Sequence, residues 1–439
     1  MKTKMKKTVT TWAMLIALLA AIGCSETETA IDPEPGGNDD PVALGVAANL
    51  KVEAGARSVS KSVVSGEVIT YTDYATAPGI GVLITNSAVN AWYTPDDDAE
   101  KHHVWYMGDE AGANWISITE KGGTYGETKE VPYYLTKEIG QVYAYYPYKA
   151  DAANGLTGVS DESSLKIPVT IPTSGEAINA STNNAKKKWN GANTWITANT
   201  NDLVNLSSST ENDYLYFAGT RGRSVNNGRA DGQPLVTPGH GDNTSAVNPG
   251  YEINLDMKHA MAMVSFRVYD SGTLSDSDMK FTKFEIKNHA GSSNLFKTGD
   301  GKMALKDGAI TETSATAAMT RTITGYILMR QLKEGEVEGE HAFIPTGTGT
   351  NDTNGKTVSK TVSTVVYPID SFGDDQIDVV ITLQKGLETA VDYTITLPGN
   401  TWAAGLNYIY TFSASRTKLT VVDVSVKQWE DKEQPEIPL

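Results

Sequence analysis

Short runs of alternating apolar and polar residues recur along the chain from residue 42 onward. The segments 264–269 and 377–383 alternate residue by residue, which is the two-residue period of a strand with one buried face. We find no apolar stripe of helical period longer than about two turns. Glycine, asparagine and proline separate the runs. The pattern predicts an all-β protein whose sheets cover one another's apolar faces as β-sandwiches.

The length of the chain predicts more than one domain. About 400 residues exceed what a single core usually organises. The alternative domain boundary, near residue 235, falls in the stretch 220–250, which is rich in glycine and asparagine. The preferred division is a leader at 1–23, an acidic tether at 24–41, an N-terminal sandwich at 42–300 and a C-terminal sandwich at 301–439.

The N-terminus carries the pattern of a bacterial lipoprotein signal. Four of the first seven residues are lysine, an apolar stretch covers 12–22, and small residues precede Cys24, the only cysteine. The stretch is too short for a transmembrane helix, which needs roughly 20 apolar residues. We therefore predict cleavage before Cys24 and its acylation, with palmitate or a similar chain. The lipid would anchor the protein in the outer membrane, with the tether leading to the cell surface.

Charge and motif content argue against several functions. The formal net charge is −16 and falls to −20 without the four leader lysines, which disfavours nucleic acid as a partner. Acylation of Cys24 would leave no thiol for a disulfide, a zinc site or catalysis. His102 and His103 are adjacent at a strand entry, so they point to opposite faces and cannot bind one metal together. The chain has none of the common hydrolase, metalloprotease or nucleotide-binding motifs, and we expect no enzymatic activity, metal or cofactor.

Tyrosine is concentrated at 143–148, in the sequence Tyr-Ala-Tyr-Tyr-Pro-Tyr. In a strand, Tyr143 and Tyr145 lie on one face and Ala144 and Tyr146 on the other. One interpretation is an aromatic platform for a glycan or a protein. The other is a strand that is buried on one face with its hydroxyl groups reaching solvent.

Four features in order resemble the fimbrillin family, the subunits of type V pili. They are the lipoprotein leader, the tyrosine run 143–148, the sequence Lys-His-Ala-Met-Ala-Met-Val at 258–264, and Ala-Gly-Leu-Asn-Tyr at 404–408 followed by an apolar segment at 419–429. The resemblance implies two transthyretin-like β-sandwich domains in tandem. It also implies export as a lipoprotein to the outer membrane and fimbrium, cleavage by an arginine-specific protease, and polymerisation with other pilus subunits by strand exchange.

The resemblance assigns roles to particular residues. The first strand of the precursor would be the one displaced, with its apolar positions at Val42, Leu44, Val46 and Leu50. Cleavage would fall between Arg57 and Ser58, at the first arginine of the chain and among small residues.

The C-terminal tail fits the role of a donated strand poorly, because 430–439 contains two prolines, which lack the N–H that pairing requires. A tip or anchor role is therefore as consistent with the sequence as a stalk role. The alternative exchange strand comprises Leu419, Val421, Val422, Val424, Val426 and Trp429.

A second hypothesis belongs to another functional class. The protein would be a monomeric, surface-anchored lipoprotein that binds glycans through exposed aromatic side chains. The candidates are Tyr148, Trp189 and Trp195.

Overall fold

Strands form nearly all the regular structure of the computed structural model. The residues it describes are 42–49, 79–93, 103–108, 115–121, 124–130, 133–148, 156, 158–180, 187–189, 195–197, 208, 211–219, 223–227, 250–274, 279–331, 342–343, 361–415, 418–428 and 437–438. In these residues the only helix is a 3-10 turn, Glu162–Ser164, whose first amides are capped by the Asp161 carboxylate. The prediction of an all-β fold is confirmed.

The strands of the first half are β1 (Val42–Ala43), β2 (Gly45–Asn49), β3 (Ile80–Asn86), β4 (His103–Gly108), β5 (Trp115–Lys121), β6 (Thr124–Glu130), β7 (Tyr134–Leu135), β8 (Gly140–Tyr146), β9 (Lys166–Ile171), β10 (Ile178–Asn179), β11 (Lys187–Trp189), β12 (Trp195–Thr197), β13 (Leu215–Phe217), β14 (Ser224–Val225) and β15 (Glu252–His259). Those of the second half are β16 (Ala262–Asp270), β17 (Met279–Asn288), β18 (Gly299–Ala304), β19 (Ile310–Thr311), β20 (Met319–Thr324), β21 (Met329–Gln331), β22 (Ala342–Phe343), β23 (Val362–Val366), β24 (Ile369–Phe372), β25 (Ile377–Lys385), β26 (Val391–Thr396), β27 (Asn400–Trp402), β28 (Leu406–Ala414), β29 (Leu419–Gln428) and β30 (Ile437–Pro438).

A nine-stranded sheet contains most of the N-terminal strands. Its order is β13-β15-β2-β5-β4-β3-β8-β14, with β6 beside β5. Strand β13 also pairs with β8, Leu215 lying opposite Tyr146. The sheet therefore closes on itself and surrounds an apolar core of its own, which we call the small core. A closed sheet has fewer unpaired edges than an open one.

Two sheets of the C-terminal half face each other across a larger core, which we call the large core. One has five strands in the order β10-β20-β17-β25-β26, and the other has seven, with β16, β28 and β29 at its centre. Phe266 on β16 and Phe284 on β17 meet edge to face, with ring centroids 4.8 Å apart. This contact joins the inner faces of the two sheets.

The chain crosses between the two groups of sheets more than once. Strand β9 pairs with β18 over six residues and β10 pairs with β20, so part of the N-terminal half is built into the C-terminal sheets. The chain then returns to the first sheet at β13 and leaves it again between His259 and Ala262. The division at residue 300 stays a prediction, although β17 and β20 pair across that position.

Residues 143–146 of the tyrosine run lie in β8, and both faces of this strand are buried. Ala144 and Tyr146 face the small core, while Tyr143 and Tyr145 face the large core. All four side chains are at most 1% exposed. The Tyr143 hydroxyl donates to Glu162 Oε1 at 2.9 Å. The alternation was predicted correctly, but an exposed platform and a strand with one solvated face are both wrong, because a second core covers the outer face.

A fully buried ion pair fixes the segment that precedes β13. Arg321 Nε lies 2.5 Å from Glu211 Oε1, and both side chains are at most 1% exposed. Glu211 also accepts from the Thr364 hydroxyl and the Val365 amide, at 2.6 and 3.0 Å. Arg321 donates in addition to the carbonyl of Pro172 at 3.0 Å. With these hydrogen bonds made, the pair ties four distant segments together.

Removing the cation of this pair should cost much of the stability. We expect Arg321→Met to lower the free energy of unfolding by about 3–5 kcal/mol, because the Glu211 carboxylate would be left buried without its partner. Lys283→Met is the matched control, since Lys283 pairs with Asp392 at the surface, where the side chains are 33% and 55% exposed. It should cost less than about 1 kcal/mol. Equal costs in urea unfolding would contradict this role of Arg321.

Burial of tyrosine makes stability fall at alkaline pH. Desolvation raises the pKa of Tyr106, Tyr146 and Tyr410 above the ordinary value of 10.0. The unfolded chain therefore loses these protons first. The contribution of these tyrosines to the free energy of unfolding is constant up to about pH 10 and falls as the pH rises further. Tyrosinate absorbance should reach its full value only as the β-sheet circular dichroism disappears. Complete ionisation with an unchanged dichroism spectrum would contradict the expectation.

Candidate functional site

The segment 42–49 contributes strand β2 to the closed sheet. Strand β2 lies between β15 and β5, parallel to the former and antiparallel to the latter. Five residue pairs join β2 to β15, from Gly45 opposite Glu252 to Asn49 opposite Asp256. On the other edge, within the described residues, the register pairs Val46 with Trp115. Strand β2 therefore has a neighbouring strand on each side.

The partner along this second edge changes within the segment. Val42 and Ala43 pair with β7, and the Leu44 amide donates to the Tyr133 carbonyl at 2.8 Å. From Val46 onward the partner is β5. The Gly45 amide points the other way and donates to the Tyr251 carbonyl at 2.8 Å. Leu44 therefore lies at the junction between β7 and β5.

Two aliphatic side chains fix the segment to the small core. Leu44 is 6% exposed and Val46 is 7% exposed. Val42, two positions before Leu44, is half-buried. Burying an aliphatic side chain contributes about 1.5–3 kcal/mol, so the two together contribute several kcal/mol before conformational entropy is counted.

Tyr106 of β4 completes the hydrogen bonding at the junction. Its hydroxyl donates to the Leu44 carbonyl at 3.2 Å from within the small core. Desolvation raises the pKa of Tyr106 strongly, and a hydrogen bond with the Ser117 side chain partly opposes this rise. Ser117 is the cross-strand partner of Tyr106 on β5. The hydroxyl is therefore neutral and remains a donor throughout the physiological pH range.

Several predicted site residues lie outside the described part of the chain. They are Cys24, Leu50, Arg57, Ser58 and Trp429. Their assigned roles stay predictions. Within the described residues no helix is long and apolar enough to cross a bilayer. No cluster of three or more metal-ligating side chains occurs in those residues either.

The candidate exchange strand corresponds to β29. It pairs with β28 along its whole length, from Leu419 opposite Ala414 to Gln428 opposite Leu406. Leu419 is 8% exposed and Val422 is 45% exposed. The remaining predicted positions, Val421, Val424 and Val426, pack partly buried against the large core. The other edge of β29 pairs with Ile437–Pro438 at Ser425 and Val426.

The aromatic residues of the glycan-binding hypothesis occupy two places. Tyr148 follows β8, is half-buried, and donates its amide to the Gly79 carbonyl at 3.0 Å. Trp189 and Trp195 lie opposite each other in the β11–β12 pair. The glycan-binding hypothesis stays a prediction.

Sequence reasoning missed the residues that receive the first strand. Tyr106, Tyr133 and Tyr251 contact it through a hydroxyl and two carbonyls. A tyrosine next to apolar residues in a predicted strand is the only local signal, and any half-buried strand can carry it. Backbone acceptors leave no trace in the sequence.

The C-terminal half of the chain matches a known family. Residues 239–429 match the family described as fimbrillin-like. The match covers most of the large-core strands and confirms the resemblance predicted from the sequence motifs at 258–264 and 404–408. No curated protein matches the chain.

Solved structures similar to this chain come from species of Bacteroides. A cell adhesion protein from Bacteroides uniformis has 15% identity and a TM-score of 0.42, over 89% of this chain and 98% of that one. A fimbrial protein from Bacteroides vulgatus has 11% identity and a TM-score of 0.43, over 89% and 100%. A polysaccharide binding protein from Bacteroides thetaiotaomicron has 11% identity and a TM-score of 0.32, over 90% and 98%. TM-scores below 0.5 carry no argument about function.

The contribution of the first strand to stability can be measured directly. We expect Leu44→Ala to lower the free energy of unfolding by about 2–5 kcal/mol, because it opens a cavity beneath β2. Leu387→Ala is the control, since Leu387 lies in the turn after β25 and is 102% exposed. That change should stay within about 0.5 kcal/mol. Similar effects in denaturant titrations would show that Leu44 is not a core residue.

Proposed function

We propose that the protein is a structural or adhesive subunit of a cell-surface pilus, assembled with other subunits by strand exchange. The fimbrillin-like region supports a fimbrial role and a location at the cell surface. The observation that carries the assembly mechanism is the position of 42–49. Among the described residues, this short segment completes a sheet whose other strands begin at Ile80.

The segment 42–49 is suited to removal once the chain is cleaved on its C-terminal side. Arg57 follows it in sequence. After cleavage at Arg57 the strand would be held by non-covalent contacts, namely its backbone pairing, the burial of Leu44 and Val46, and the hydrogen bond from Tyr106. A strand held only in this way can be replaced by another strand with the same backbone bonds.

An empty gap would be unfavourable. Loss of the strand would deprive the Tyr133 carbonyl, the Tyr251 carbonyl and the Tyr106 hydroxyl of the partners they have now. Each buried polar group left without a partner costs about 1–3 kcal/mol. The gap would also expose the small core between β15 and β5. Both effects favour refilling by a strand from a neighbouring subunit.

Export and anchoring follow from the leader. In this proposal Cys24 is acylated, and the acidic tether at 25–41 carries the folded part away from the outer membrane. A single acyl chain anchors only marginally. Stable attachment therefore needs the further chains that a lipoprotein cysteine carries.

Strand β29 remains the candidate by which this subunit contributes to a neighbour. Its inner edge is fully occupied by β28. In the described residues its other edge is paired only at Ser425 and Val426. We propose that β29 takes part through this outer edge rather than by leaving β28, because departure would break the longer of its two pairings.

Removing residues 1–57 tests the proposal. A protein that starts at Ser58 should melt at a lower temperature than the full chain and should form oligomers, because its sheet lacks strand β2. Added peptide spanning 42–52 should reverse both effects. The same peptide with Leu44 and Val46 replaced by aspartate is the control and should reverse neither effect.

Calorimetry and light scattering measure the two effects. An unchanged melting temperature, together with a monomeric protein at all concentrations, would show that 42–49 is dispensable. Strand exchange at this site would then be wrong.

A further inference from the structure

The junction at Leu44 poses a problem of hydrogen bonding. In a strand the N–H and C=O groups of one residue point to the same edge. The Leu44 amide uses that edge to reach Tyr133, the residue just before β7. By the next residue on this edge, Val46, the partner is β5. The Leu44 carbonyl therefore points to the place where one partner strand ends and the next begins.

The Tyr106 hydroxyl supplies the donor at this place. It reaches the Leu44 carbonyl at 3.2 Å, and the tyrosine is 1% exposed. Ser117, its cross-strand partner, is 5% exposed and forms a hydrogen bond with the same side chain. The donor and its hydrogen-bond partner thus lie buried on β4 and β5, outside the strand that they contact.

We propose that Tyr106 is a positioning residue for whichever strand fills the gap between β15 and β5, and that it selects the register of that strand. The inference rests on the proposed strand exchange and adds the specificity of the site. A slip by one residue turns the carbonyl to the β15 edge and also moves the aliphatic side chains out of the small core. Tyr106 and the two aliphatic positions therefore enforce the same alignment.

The geometry describes the partner segment. It is an extended stretch from another subunit with aliphatic residues at two positions spaced two apart, as at Leu44 and Val46. The first of these needs a free carbonyl for Tyr106. Proline is excluded at the positions equivalent to Leu44 and Gly45, because the backbone amide of each donates a hydrogen bond.

Hydrogen exchange in the intact, uncleaved chain tests the contact itself. Tyr106→Phe should raise the exchange rate of the amides in 42–49 by roughly 5- to 30-fold, since one buried hydrogen bond to this segment is lost. Tyr326→Phe is the matched control. Its hydroxyl donates to the Val268 carbonyl, also at 3.2 Å, and it is likewise 1% exposed, but it lies in the large core. The control should leave 42–49 unchanged, and equal acceleration by both variants would overturn the inference.

Peptide selectivity tests the positioning role. The full chain is nicked at Arg57 with an Arg-specific protease, and labelled peptide 42–57 is offered either with its natural backbone or with a thioamide at Leu44, which is a weaker acceptor. The nicked wild type should prefer the natural peptide by about five-fold, and nicked Tyr106→Phe should show no preference. A merely structural role would weaken both peptides equally and would leave the preference intact.

The two measurements separate the inference from the function beneath it. If nicked wild type takes up neither peptide, strand exchange is wrong, and selection of a partner strand falls with it. If it takes up both peptides with equal affinity, exchange stands and Tyr106 does not select. A preference that disappears in Tyr106→Phe supports both.

Discussion

Burial of β8 on both faces is the constraint on which the rest of the structure depends. One face of the strand packs into the small core and the other into the large core. With no solvent on either side, its backbone groups must find partners within the sheet. Strands β3, β13 and β14 provide them. The β8–β13 pairing also closes the first sheet, so the same strand joins the two halves of the molecule.

The closed sheet explains why a short N-terminal segment matters. Strand β2 lies inside the sheet, between β15 and β5, and the β13–β8 pairing closes the sheet into a ring. Loss of β2 would therefore open the ring at one place and leave the edges of β15 and β5 unpaired there.

The two halves are interleaved rather than joined end to end. Strands β9 and β10 come from the N-terminal half and lie in sheets of the C-terminal half. The Glu211–Arg321 pair fixes the return path to β13. A gap at β2 would therefore open in a sheet that is tied to the second half of the molecule close by, at β13.

Local periodicity was enough to predict the strand type, the two faces of the tyrosine run and the inward positions Leu44 and Val46, because side-chain alternation is a property of consecutive residues. The sequence could not reveal that a second core covers the outer face of β8, or that Arg321 finds Glu211 more than a hundred residues away. Nor could it identify Tyr106 as the donor to Leu44, because that contact depends on where β7 ends and β5 begins. The sequence alone determined the all-β character and the pattern of the first strand; pairing partners, closure of the sheet and double-sided burial were decided by the tertiary structure, since they depend on long-range contacts that no local pattern encodes.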